Sequence, residues 1–176
     1  TITRTGEKLN IAGLDFEFQL ARDVEAPVEL HWFIPQLKAL TLSENCEQSM
    51  HNTYTPRGAK TRNPLGWSKV IQEALDLWGD RAEVLYSSHS WPVWGGERVR
   101  RHLALARDGY RFINDRTLHL AGRGMTPDEI GQEISYPDKL RRHWGMRGHY
   151  GTLSHNARGT YAYYLGWYDG NPATLY

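Results

Sequence analysis

Three side chains able to bind a metal or move a proton stand just past predicted strands: Glu25, Glu44 and His89. Glu25 follows the alternating segment Leu14–Leu20 in a turn stiffened by Pro27, Glu44 ends Lys38–Ser43, and His89 ends Glu83–Tyr86. Carboxylate oxygen and imidazole nitrogen are both good zinc donors, and strand ends hold such donors rigidly. The same three residues also read as two solvated loop carboxylates and a hydrogen-bonded turn histidine. A second group is His51-Asn52-Thr53-Tyr54-Thr55-Pro56-Arg57-Gly58. Asn52 offers amide donors and Arg57 a planar fork, which together suit a tetrahedral oxyanion; an ordinary surface turn is the other reading. A third is His155, predicted to open a helix, where the helix N-terminus favours a neutral imidazole. A purely local hydrogen bond is its alternative. Trp91, Trp94, Trp144, Trp167 and the Tyr161–Tyr164 run read as core, with the lining of an apolar groove as the second possibility.

These groups need elements to hold them. Period-two alternation predicts strands at Leu9–Ala12, Leu14–Leu20, Val28–Ile34 and Lys38–Ser43, and a short one at Glu83–Tyr86. From Leu65 the period turns helical, with Trp67, Val70, Ile71, Ala74, Leu75 and Trp78 on one stripe ended by Gly79. A long helix follows Gly95-Gly96 to Leu120, with Val99, Leu103, Ala106, Tyr110 and Ile113 along its seam. Thr126-Pro127-Asp128-Glu129 is a capping box, and Pro137 starts a further turn through Leu140 and Trp144. Ser154 is the predicted cap of a last helix, broken at Asp169-Gly170-Asn171-Pro172. Strands come first, then a mixed stretch, then helices, so the fold class is α/β (α+β).

A length of 176 residues fits one domain with at most a small appendage. Lys+Arg 21 against Asp+Glu 20 gives a charge of +1, too little for the basic field of a nucleic-acid binder. Apolar runs are too short for a membrane span. Seven Trp and ten Tyr exclude the composition of a disordered chain. Cys46 is alone, which excludes an intrachain disulfide and a cysteine zinc cluster. The opening Thr1–Gly6 reads as the interior of a strand, so the chain is expected to begin inside a larger protein.

Several longer phrases carry a resemblance. They are Glu25-Ala26-Pro27-Val28-Glu29-Leu30, Ser43-Glu44-Asn45-Cys46, His51 to Ala59, and Ser88-His89-Ser90-Trp91-Pro92-Val93-Trp94-Gly95. Asn114-Asp115-Arg116-Thr117-Leu118, Arg147-Gly148-His149-Tyr150-Gly151-Thr152 and Tyr164 to Ala173 extend the set. From about Asp23 to the C-terminus the chain resembles the zinc-dependent alkylsulfatases, dodecyl-sulfate-hydrolysing enzymes of the metallo-β-lactamase fold superfamily. The resemblance implies the second half of an αββα sandwich followed by the start of a helical dimerisation region. Residues 1–125 would be the C-terminal half of the catalytic domain, and 126–176 the helical segment that completes it and leads into the dimerisation domain.

By the same resemblance, two zinc ions per active site hold the hydroxide that cleaves alkyl sulfate to alcohol and sulfate. Glu25 would ligate one zinc, Glu44, nineteen residues on, would be shared by both, and His89 would ligate the second. Asn52 and Arg57 match the residues that hold the sulfate, and His155 the histidine that protonates the leaving alkoxide. A homodimer is implied, without nucleic acid or membrane span. The family's His-x-His-x-Asp-His motif is absent, since none of the eight histidines stands two residues from another. That half of the site is expected from the rest of the protein. Val24-Glu25 replaces the family's Thr-Glu, and Ser90 is a further departure; neither removes a ligand. Two rivals stay open: a non-catalytic helical interaction module, and a hydrolase of this fold acting on a lactone or phosphodiester.

Overall fold

A computed structural model describes residues 1–168 and 171–174; Asp169 and Gly170 of the predicted helix-breaking turn lie outside them. Six strands form one sheet in sequence order: β1 (Lys8–Ile11), β2 (Leu14–Leu20), β3 (Leu30–Ile34), β4 (Ala39–Thr41), β5 (Val84–Tyr86) and β6 (Val93–Trp94). Among the described residues five α-helices follow the strands or interrupt them: α1 (Pro64–Trp78), α2 (Gly96–Ala121), α3 (Pro127–Glu133), α4 (Asp138–Arg141) and α5 (Leu153–Leu165). The two-residue β6 carries too few positions for an alternation signal, and its pairing with β5 comes from the fold.

β1 through β4 are a meander of antiparallel pairs, whereas β4 and β5 are parallel, with Leu40 beside Leu85. The parallel pair needs a crossover, which α1 supplies. Because β2–β3 and β3–β4 each reverse direction, β2, β4 and β5 all point the same way. The loops leaving their carboxyl ends therefore gather at one end of the sheet. These loops carry Glu25, Glu44 and His89.

One row of the sheet, Phe33–Leu40–Leu85–Val93 in register, is buried beneath α1 and α2. Pro64 at the first turn and Asn63, whose side chain accepts from the Gly66 N–H, start α1; Trp67, Ile71, Ala74 and Trp78 form its buried stripe. Val99, Leu103, Ala106, Tyr110 and Ile113 do the same for α2. A smaller cluster of Leu120, Ile130, Ile134 and Ala157 joins α3 and α5 to the end of α2. The Thr126–Glu129 capping box forms as expected. The cap of α5 is Thr152, not Ser154: its hydroxyl accepts from the His155 N–H.

The core reading of the aromatic set is overturned. Trp91, Trp94, Trp144 and Trp167 are 51–72% exposed, and the core indoles are Trp67 and Trp78. Helical spacing identified the latter pair; the exposed four sit in loops, a single 3₁₀ turn and a strand end, where periodicity carries no burial signal.

Candidate metal centre

The loop after β4 turns at Ser43, whose φ of 51° is left-handed, and its next residues are pinned from both helices. Trp67 of α1 donates its indole N–H to the Asn45 carbonyl at 2.5 Å. From α2, Tyr110 accepts from the His51 N–H at 3.1 Å, and His102 Nε2 donates to the Glu47 carbonyl at 2.7 Å. The Ser88 N–H donates to the Ser43 carbonyl, tying the β5 loop alongside.

Glu44 sits at the centre. Its Oε2 is 3.0 Å from His51 Nε2 and its Oε1 is 3.2 Å from His89 Nε2. The donor atoms of Glu44, His51 and His89 all lie within 4.8 Å of one another. His51 is fully buried beneath Tyr150, whose ring centre is 4.7 Å from His51 and 4.9 Å from His89. Burial pushes the His51 pKa down to about 4, so the imidazole is neutral at pH 7 and has a nitrogen lone pair to offer.

Glu25 is the second carboxylate. Its Oε1 is 2.6 Å from Arg62, and the carboxyls of Glu25 and Glu44 are close enough to perturb one another. Burial drives the Glu25 pKa upward, against the pull of Arg62. Burial acts the same way on Glu44, but hydrogen bonding with Glu25 and interaction with the adjacent His51 and His89 imidazoles outweigh it and leave that carboxyl below its ordinary value. Two more acids crowd the site. Glu29 accepts from Asn45 Nδ2 at 2.9 Å, and burial raises its pKa. Glu47 is buried with neither carboxyl oxygen hydrogen-bonded among the described residues; desolvation, then the charge of Glu44, raise it to about 8.

Four carboxyl groups thus crowd this end of the sheet, and among the described residues the one guanidinium ion-paired with any of them is that of Arg62, on Glu25. Such a set lacks positive charge. Donors about 2.1 Å from a tetrahedral cation stand roughly 3.4 Å apart, and the 3.0 and 3.2 Å contacts of Glu44 are close to that spacing. Carboxylate and imidazole donors suit zinc and its divalent neighbours. The residues fit a divalent metal.

The predicted oxyanion group divides. Asn52 is buried next to His51, with Arg62 Nη1 donating to its Oδ1 at 3.1 Å and its own Nδ2 donating to the Tyr150 carbonyl at 3.3 Å. Arg57 is exposed on the following turn, one residue before Gly58 at φ 79°. His155 stacks on Tyr54 and donates from Nε2 to the Tyr54 carbonyl at 2.6 Å, and it lines a different cavity from the one reaching His89. The fold therefore unites Glu25, Glu44, His89 and Asn52, and leaves Arg57 and His155 at the periphery.

Four contributors were given no role by the sequence: His51, though it heads a candidate group, and Arg62 as the polar hub, Glu47 as an acid without a hydrogen-bond partner among the described residues, and Asn156 as a clamp. Asn156, fully buried, accepts from the Thr53 N–H and donates to the His51 carbonyl, both at 2.9 Å. Gly151 lies so close that a Cβ there would fall 2.6 Å from the Asn52 nitrogen. His51 and Arg62 carried a signal in their type; Glu47 and Asn156 carried none, because only folding buries them.

Residues 126–176 match the family model described as alkyl sulfatase dimerisation. The chain is 50% identical over 175 residues to a linear primary-alkylsulfatase from a Pseudomonas species, covering 99% of this chain and 26% of that relative. It superposes with a TM-score of 0.93, at 44% identity, on the inverting sec-alkylsulfatase Pisa1 from Pseudomonas, covering 99% of this chain and 28% of that one. A metallo-β-lactamase family protein from Thermus thermophilus shares the fold, with a TM-score of 0.52 at 15% identity over 92% of this chain and 47% of its own. The chain spans about a quarter of the length of its alkylsulfatase relatives.

Proposed function

The chain is a homologue of the alkylsulfatases with a metallo-β-lactamase-type fold, and from that premise we propose that its protein hydrolyses alkyl sulfate esters at a pair of zinc ions. One observation carries the reading: Glu44, His51 and His89 converge, donor atoms within 4.8 Å, where three co-directional strands end.

When bound, a zinc pair supplies Lewis acidity and brings the pKa of water to about 7. Glu44, with one carboxylate oxygen toward each histidine, would be the shared ligand, and Glu25 and His89 would each serve one ion. Arg62 fixes Glu25 and Asn52 in relation to one another. Asn52 and Arg57 hold the sulfate oxygens, each donor contributing roughly 2–4 kcal/mol where charge develops. His155 gives its Nε2 proton, which rests on the Tyr54 carbonyl, to the departing alkoxide. The tail takes the cavity of about 320 Å³ that begins at His89 and is walled by Trp91 and Trp144, gaining roughly 0.8 kcal/mol per buried methylene. The remaining metal donors come from the rest of the polypeptide, and residues 126–176 lead into a homodimer contact.

The test is metal analysis and sulfate release from decyl sulfate, made on the complete protein that contains this chain. About two zinc ions per active site are expected, with activity lost to a chelator and restored by zinc. Chelator-resistant turnover, or turnover confined to lactones or phosphodiesters in a substrate panel, overturns the reading.

A further inference from the structure

Trp91 lines two cavities: the pocket at His89 and a cleft of about 380 Å³ that the proposed reaction does not use. The second cleft lies between the Trp91–Trp94 segment, the opening turns of α2 and the loop bearing His143.

Its lining is basic and aromatic. Arg98 and Arg101 stand three residues apart on α2, so their side chains leave the same face of the helix one turn from each other. Both are exposed, and neither forms an ion pair among the described residues, whereas their neighbour Arg100 is held by Asp80 at 3.0 Å. Trp91 and Trp94 are 60% and 64% exposed, a large indole area to leave in water beside two uncommitted guanidiniums. Gln48 and His143 complete a polar rim.

Guanidinium forks match the oxygens of sulfate or sulfonate, and indole faces cover methylene chains. A purely apolar ligand leaves the arginines unanswered, and a bare inorganic anion leaves the indoles unanswered. We propose that this cleft is a second binding site for an anionic amphiphile, an alkyl sulfate or sulfonate, with its head between Arg98 and Arg101 and its first methylenes along Trp94 and Trp91. The site holds a second molecule beside the tail pocket, which Trp91 also lines. Its ligand class follows the proposed reaction, but its binding does not depend on catalysis.

The experiment is calorimetric titration of the complete protein with decane-1-sulfonate, kept below micelle formation, alongside inorganic sulfate and decanol. Binding to the Arg98→Ala/Arg101→Ala double variant weakens at least tenfold for one class of sites. Sulfate and decanol each bind that class at least tenfold more weakly than the sulfonate. Trp94→Ala, at an exposed position, shows the same loss and covers the case of a misfolded double variant. At low substrate, kcat/KM for decyl sulfate stays within twofold in these variants. Unchanged sulfonate binding in both variants, equal affinity for decanol, or no second class of sites because another segment fills the cleft overturns the proposal. A protein that hydrolyses no alkyl sulfate yet loses sulfonate binding in these variants refutes the proposed reaction and leaves this site standing.

Discussion

Two buried carboxylate regions in this chain are handled in opposite ways. Glu17, in β2, receives both terminal nitrogens of Arg81 at 2.7 and 3.0 Å, Lys8 at 3.0 Å and the Trp78 indole at 3.0 Å. Those bonds, Arg81 foremost, outweigh burial and hold its carboxyl at about 2. At the strand ends, Glu25, Glu29, Glu44 and Glu47 crowd together, and among the described residues only Glu25 is ion-paired with Arg62; burial pushes the proton affinity of all four upward, and only at Glu44 do the hydrogen bond with Glu25 and the adjacent imidazoles outweigh it. The first arrangement is complete within the chain. The second lacks positive charge, and that deficit separates a structural ion pair from a candidate cation site.

The contrast can be broken by experiment, most severely at the clamp. Asn156→Ala strands the buried Thr53 N–H and His51 carbonyl together. A loss of about 3 kcal/mol in unfolding free energy is expected in denaturant titration of the complete protein. A loss below about 0.5 kcal/mol, within the range of an ordinary surface change, means that α5 does not hold the site loop. At the deficit itself, Glu44→Gln lowers zinc affinity by at least about 100-fold, and Glu17→Gln leaves it unchanged. Equal effects from the two variants, measured against a competing metal indicator, erase the distinction. Arg57→Ala is expected to raise KM for decyl sulfate about tenfold, roughly 1.4 kcal/mol of binding; unchanged steady-state kinetics remove Arg57 from the sulfate site.

The smallest effect sharpens the satisfied side. Because the folded Glu17 pKa lies below its ordinary 4.5, its contribution is present above about 4.5 and lost as pH falls toward about 2. Glu17→Gln should therefore destabilise the protein by about 1 kcal/mol at pH 7, a modest figure because Arg81 and Lys8 are well exposed. The difference from the parent should vanish near pH 2. A gap independent of pH assigns the loss to packing rather than charge.

Much of the scaffold was legible. Alternation located β2 and β3, the Trp67–Trp78 stripe located α1, and Thr126 with Glu129 located α3. Glu25, Glu44 and His89 were legible as donor types at strand ends and through the longer phrases. His51, Arg62, Glu47 and Asn156 were not recognised, because what matters is which group is buried and who lies beside it. The exposed tryptophans were misread for the same reason.

The sequence by itself determined that most of the strands and helices form and in which stretches, because alternation, caps and turn residues act over a few positions of chain. Only the tertiary structure decided that β2, β4 and β5 point the same way and that Trp67, Tyr110 and His102 grip one loop. It also brought four acids together, with one arginine on one of them. Those outcomes follow from strand pairing and desolvation between segments far apart in sequence, and no local pattern encodes them.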